Sequence, residues 1–265
     1  MLTARLTGRS ALVNVMISAT EKAGRALTRD FGELEQLQVS RKGLGDFVST
    51  ADHRAEKIII QELSKARPGF SFLLEETGAI EGTDTEHCWI VDPLDGTLNF
   101  LHGIPQFCVS LALKKGDEII AGVIFNPILD ELYWAEKGTG TFLNQRRIRV
   151  SGRRHLDEAV IAIGTPYRHQ VDATTVNYSR LAGKVAGMRR FGSAALDLAY
   201  VAAGKFEACF ATNLKPWDLA AGILMVKESG GYICDVKGGQ DILGSGSLLA
   251  ANDHLFDPLS KILIG

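Results

Sequence analysis

A chain of 265 residues that is 46% hydrophobic can bury one large core or two intimate ones. Lysine and arginine number 29 against 31 aspartates and glutamates, a net charge of -2, and no polybasic block offers nucleic acid a landing surface. Four cysteines without a C-x-x-C pair argue against structural zinc and fit a reducing, cytoplasmic setting, and no apolar run reaches the roughly 20 residues needed to span a bilayer.

Two arginines precede an apolar patch near the start, but Asn14 interrupts it and no convincing cleavage site follows. Leu12, Val15, Met16, Ala19 and Ala23 recur at helical spacing instead, so a first helix is predicted from Ser10, its N-cap, to about Glu35. The stretch SRKGLGDFVST then reads as a polar loop. A second helix follows Thr50, with Ala55, Ile58, Ile59 and Leu63 on its apolar face, and ends near Pro68-Gly69. FSFLLEE and HCWIVD read as strands, each finishing in acid.

From Phe107 to Val150 the pattern turns β-rich: FCVSLALKK, EIIAGVIFNP, ELYWAEKG and GTFLNQRRIRVS are separated by turn signals. In the second half AVIAIG, FEACFA and SLLAAN read as strands. Helices are predicted over Thr174–Met188, Ser193–Ala203, Trp217–Glu228 and Leu255–Ile264. Strands and helices mix without a regular βαβ rhythm, which predicts a layered, mixed α/β architecture.

The stretch WIVDPLDGTLNF poses the chemical question. Asp92 and Asp95 stand three positions apart after an apolar run, and close carboxylates repel. Pro93 should break strand pairing and Gly96 permit a tight turn. Such a strand end would aim Asp92, the Leu94 carbonyl and Asp95 at one point, a cluster that hard divalent cations prefer. The amides that follow could open a helix and hold phosphate. Read alone, Asp-Pro and Asp-Gly are also ordinary turn formers. Glu75 and Glu76 end another apolar run, where surface acid is the ordinary explanation, and Asp218 in KPWDLAAG stands where N-cap acids do. Three acid-bearing element ends together are an economical way to build a pocket for several metal ions. The six histidines are scattered and none pairs at ligand spacing.

WIVDPLDGTLNF followed far downstream by KPWDLAAGILMVKESGG resembles the inositol monophosphatase family of metal-dependent, lithium-sensitive phosphatases. The resemblance takes in GDFVSTAD, the EE strand end and RRFGSAALDLAYVAAG, the last most similar to the bacterial extragenic-suppressor branch. It implies an α-β-α-β-α sandwich in a single domain over 1–265, with one metal motif in about 1–150 and the other in about 151–265. It also implies a homodimer and two to three Mg²⁺ ions per site.

Residue by residue, the resemblance implies that Glu75, Asp92, the Leu94 carbonyl, Asp95 and Asp218 are the metal ligands. Asp52 would help to hold a weaker ion through water. Thr97, with Asp52 or Glu75, would position and deprotonate the attacking water. Leu94, Asp95, Gly96, Thr97, Arg189, Gly192, Ser193, Ala194 and Asp218 would meet the substrate, and Lys42 would lie in a loop folding over it. One departure stands out: Ala211, seven positions before Asp218, replaces a glutamate that reads ring hydroxyls in the family. Only a local gap would bring Glu207 into that role. The implied substrate is therefore inositol 1-phosphate or a related small sugar or polyol phosphate. Fructose 1,6-bisphosphate, histidinol phosphate and 3′-phosphoadenosine 5′-phosphate are alternatives within the same chemistry. Partnership with the transcription machinery is an alternative outside it.

Overall fold

In the computed structural model, which describes residues 8–34, 39–43, 46–164, 178–236, 239 and 241–264, Ser10 caps α1 (Ala11–Phe31) by accepting the Val13 amide at 3.2 Å. The helix stops at Gly32, short of the predicted end, because glycine is a poor helix former whose amide here closes the last turn onto Thr28 and Arg29. Glu35 lies outside the described residues.

The predicted polar loop is instead an antiparallel hairpin, β1 (Val39–Gly43) and β2 (Asp46–Ser49), with Val39 opposite Ser49 and Arg41 opposite Phe47. Basic and small residues hide its alternation, so the pattern reads as loop. Lys42 lies on β1. Ser49 then caps α2 (Thr50–Ala66) in a capping box completed by Asp52.

Eight strands form the large sheet: β3 (Ser71–Leu74), β4 (Gly78–Ile80), β5 (His87–Asp95), β6 (Cys108–Lys115), β7 (Glu118–Asn126), β8 (Glu131–Glu136), β9 (Gly140–Leu143) and β10 (Arg146–Ile148), in the spatial order 10-9-8-7-6-5-3-4. The short helix α3 (Thr97–Leu101) follows β5. The smaller sheet has five strands, β11 (Val160–Gly164), β12 (Gly187–Arg189), β13 (Ala208–Ala211), β14 (Tyr232–Cys234) and β15 (Leu248–Ala251), in the order 12-11-13-15-14. Part of the predicted helix Thr174–Met188, residues 174–177, lies outside the described residues. Residues 178–181 are helical, but Gly183 takes φ +74° and ends the turn, and 187–189 pair with β11 as a parallel strand. Val185 and Met188 meet helical spacing only by coincidence; both pack against the core of the small sheet.

Three apolar clusters define the layers. Met16, Ala23 and Leu27 of α1 and Ile59 and Leu63 of α2 pack on Trp89, Val91, Leu111 and Val123 of the large sheet. Its other face, through Ile90, Ala112 and Ile124, meets α4 (Ala194–Ala202) and α5 (Pro216–Glu228), which in turn meet Ala162, Cys209 and Ala250 of the small sheet. Leu259 and Leu263 of the terminal helix α7 (Phe256–Leu263) and Leu181 cover the far face; α6 (Ile242–Ser245) precedes β15. This is the α-β-α-β-α order the resemblance implied.

The middle layer is held close. A side-chain carbon at Gly122 on β7 would lie 3.0 Å from the Ala221 Cα, so glycine lets α5 seat on the sheet. Ser110 on β6 donates to the Trp217 carbonyl at 3.2 Å. Together these contacts hold the start of α5 beside the end of β5. Among the described residues no helix is long and apolar enough to cross a membrane.

Candidate active site

Side chains alternate along a strand, so residues three apart belong on opposite faces. Asp92 and Asp95 escape that rule through a β-bulge. Asp92 stands opposite Ser110 and Asp95 opposite Cys108, three steps on β5 against two on β6. Pro93, which has no amide to give the ladder, occupies the irregular stretch. Asp92 and Asp95 thereby converge on Asp218 from α5, with one carboxylate oxygen of each lying within 4.8 Å of the others. The chain turns away at Gly96, whose φ of +94° opens α3.

Each acid keeps one oxygen tied to backbone. Asp92 Oδ1 accepts the Leu94 amide at 2.9 Å, and Asp218 Oδ2 accepts the Lys215 amide at 2.7 Å. Asp52 Oδ2 accepts both the amide and the hydroxyl of Ser49, at 2.9 and 2.7 Å. Asp95 Oδ2 accepts the Ser193 hydroxyl at 2.6 Å and the Ala195 amide at 2.8 Å. Asp52, Asp218 and Asp95 thus meet the first turns of α2, α5 and α4, where the helix dipole favours negative charge.

The electrostatics remain unfavourable in the protein alone. Burial pushes the Asp92 carboxyl well up, and the charges of Glu75, Asp95 and Asp218, all acids, push it further. Glu75 also hydrogen-bonds Asp92. Burial and then the charge of Asp95 push Asp218 up to about 7. Burial raises Asp95 too, against the opposing bonds from Ser193 and Ala195. Carboxylate and carbonyl oxygens without imidazole, short of positive charge, are the donor set that suits a hard divalent cation.

Thr97 sits at the rim of this cluster. Its hydroxyl lies 3.2 Å from Asp52 Oδ1 and 3.0 Å from the Leu94 carbonyl, two acceptors competing for one proton. Asp52 is fully buried, and burial raises its carboxyl above the ordinary value. Thr97 therefore has a proton acceptor beside it.

The predicted substrate contacts divide. Leu94, Asp95, Gly96, Thr97 and Asp218 surround the cluster. The Ser193 hydroxyl and the amides of Ala194 and Ala195 are engaged by Asp95. Gly192, with φ +80°, forms a turn packed against Asn99, which donates to the carbonyls of Gln106 and Phe191. Arg189 is exposed on the edge strand β12 and donates to the Met188 carbonyl. Glu76 gives its amide to Glu56. Ala211 is 1% exposed and packs in the central cluster. Glu207 is no substitute for the missing acid, since Arg153 takes one of its oxygens at 2.8 Å and the Val160 amide the other at 2.7 Å.

Sequence reasoning missed Ser49 and Cys108. Ser49 was legible as an N-cap three residues before Asp52. Cys108, with Sγ 3.9 Å from Asp95 Oδ2, carried no signal beyond its apolar run.

Comparison with known proteins agrees with this geometry. The model of the inositol monophosphatase family matches residues 9–262. An inositol-1-monophosphatase of Mesorhizobium japonicum is 57% identical, with 96% of each chain aligned. The structure of the extragenic suppressor protein SuhB from Bartonella henselae superposes with a TM-score of 0.94 at 54% identity, covering 96% of this chain and 98% of that one. The Nus factor SuhB of Escherichia coli is 40% identical over 92% of each chain. The match runs through both sheets and every acid-bearing element end: the chain belongs to the inositol monophosphatase family and is a phosphatase.

Proposed function

We propose that the chain is a Mg²⁺-dependent phosphomonoesterase acting on inositol 1-phosphate or a closely related small polyol phosphate. The observation that carries this reading is the convergence of buried Asp92 and Asp95 with half-buried Asp218, whose mutual repulsion asks for cations. Glu75, Asp92, the Leu94 carbonyl, Asp95 and Asp218 would hold two to three ions. Bound there, magnesium would offset the charge of the phosphate dianion and lower the pKa of a water.

The chain's own groups do the rest. Thr97 orients the attacking water, and its proton can pass by way of the Thr97 hydroxyl to Asp52. The burial that raises the Asp52 carboxyl makes it a better acceptor than a solvated aspartate. The first amides of α3, at Thr97 and Leu98, lack intrahelical partners and would be available to phosphate oxygens. Arg189, Gly192, Ser193 and Ala194 would border the ring, and Lys42 belongs to the segment that would fold over it.

Phosphate release from inositol 1-phosphate, fructose 1,6-bisphosphate, histidinol phosphate and 3′-phosphoadenosine 5′-phosphate, each with and without Mg²⁺, tests the proposal. The highest kcat/KM is expected on inositol 1-phosphate, lost on chelation and inhibited by millimolar Li⁺. A top rate on histidinol phosphate would overturn the substrate, and full activity in chelator would overturn the metal. We further propose a single-domain homodimer in the cytoplasm; the apolar cluster shared by both sheets and four unpaired cysteines support the first and last parts.

A second reading, a partner of the transcription machinery, is favoured by the similarity to a protein named a Nus factor. Asp218→Asn separates the two. A cellular phenotype that survives while phosphatase activity vanishes would establish the partner role.

A further inference from the structure

The turn before α4 points its donors inward. Ser193 is 1% exposed, and its hydroxyl lies 2.6 Å from Asp95 Oδ2, a bond across 98 positions of sequence. The Ala195 amide adds a second donor at 2.8 Å, and the Cys108 thiol, itself fully buried, lies 3.9 Å from the same oxygen. The hydroxyl, the amide and the thiol all meet the carboxylate at Oδ2, and the Ala194 amide also bonds the group, so the turn before α4 holds its orientation.

Ser193 is also the N-cap of α4, where its Oγ lies 3.4 Å from the Leu196 amide. The hydroxyl thus gives its proton to Asp95 and accepts on its lone pair from the helix, two bonds that polarise each other in the same direction. Through it the middle helix layer grips a carboxylate that belongs to the large sheet.

We infer that Ser193 is a positioning residue: it orients the Asp95 carboxylate toward Asp92 and Asp218 and so sets the affinity of the cluster for divalent metal. It acts through Asp95 and need not touch the substrate. The inference rests on the phosphatase reading only in taking Asp95 as a ligand. Groups that hydrogen-bond metal-binding carboxylates typically change metal affinity by about 10–100-fold when removed.

The test is calorimetric titration of the full-length, metal-free protein with Mg²⁺ alone, alongside kcat and KM. Ser193→Ala should weaken Mg²⁺ binding by about 10-fold or more. Ser193→Thr, which keeps the hydroxyl, should recover most of that loss. Ser193→Gly keeps a good N-cap conformation while removing the hydroxyl. It should bind Mg²⁺ as weakly as Ser193→Ala, and it guards against a variant that simply fails to fold. Ser10→Ala, which removes the cap of α1, should lower Tm without moving the Mg²⁺ affinity. Wild-type Mg²⁺ affinity in Ser193→Ala and Ser193→Gly would overturn the inference and leave Ser193 a helix cap only. A wild type that binds Mg²⁺ yet hydrolyses no polyol phosphate would sink the substrate reading while these affinities still decide the role of Ser193. A wild type that binds no Mg²⁺ would overturn both.

Discussion

Asp92 at the end of β5 and Glu207 before β13 are withdrawn from water to the same extent, each 1% exposed, yet their surroundings are opposite. Glu207 faces the Arg153 guanidinium and the Val160 amide, and both its oxygens are satisfied within the protein. Asp92 faces Glu75, Asp95 and Asp218. Burial alone therefore does not distinguish a structural acid from a functional one. What distinguishes them is whether the protein supplies the compensating donors or leaves a deficit for something else to fill.

That contrast predicts opposite responses to neutral substitution. Asp92→Asn should lower kcat/KM by about a thousandfold or more, because a ligand to the ions that stabilise the reacting phosphate is lost. The same change should leave Tm of the metal-free protein unchanged or raised, since it removes repulsion; steady-state kinetics and thermal unfolding in chelator check both. Thr97→Val comes next, with kcat reduced about a hundredfold and little change in Mg²⁺ affinity, as expected for a group that handles the water and its proton. Glu207→Gln should do the reverse of Asp92→Asn. It should cost about 1–3 kcal/mol of stability in denaturant titration, tempered by the half-exposed Arg153, and leave kcat per folded molecule near wild type.

The smallest effect concerns pH. Asp218, pushed up to about 7 in the folded chain, has an ordinary carboxylate value when unfolded. The folded state then holds the proton more tightly, so this contribution to stability is complete below about pH 4 and lost as pH rises through 7. Tm of the metal-free protein should fall between pH 5 and pH 8, and the increase in Tm on adding Mg²⁺ should grow over the same range. A gain from Mg²⁺ that shrinks as pH rises would contradict the deficit at Asp92, Asp95 and Asp218.

Much of this was legible in the residues, for reasons that differ by element. Strands β6, β7 and β8 carry long apolar or alternating runs, and α2 and α5 carry start signals, so the large sheet and its flanking helices could be read directly. The hairpin of β1 and β2 could not, because its faces are not marked by apolar alternation. Strand β12 was hidden because three residues are too few to show a period of two within a segment that also fits a period of 3.6. The acids of the site were legible as chemistry, and Pro93 and Gly96 predicted that Asp92 and Asp95 converge; the bulge that achieves it is what no alternation rule contains. Ser193 could be recognised as a cap, whereas its bond to Asp95 is a tertiary fact that local sequence does not encode.

The bulge on β5 makes the motif a ruler as well as a set of ligands. A substitution at position 94 keeps the count of residues between the two aspartates and the backbone carbonyl, and tests only the packing of the buried Leu94 side chain. Deleting one residue between Asp92 and Asp95 would leave two steps against two and restore regular pleating; the carboxylates would still share a face, but the carbonyl between them would return to the plane of the ladder, with every charged side chain still present. For this segment chain length is under control as well as chemistry, and a library that varies residues 93 and 94 without changing their number separates the two.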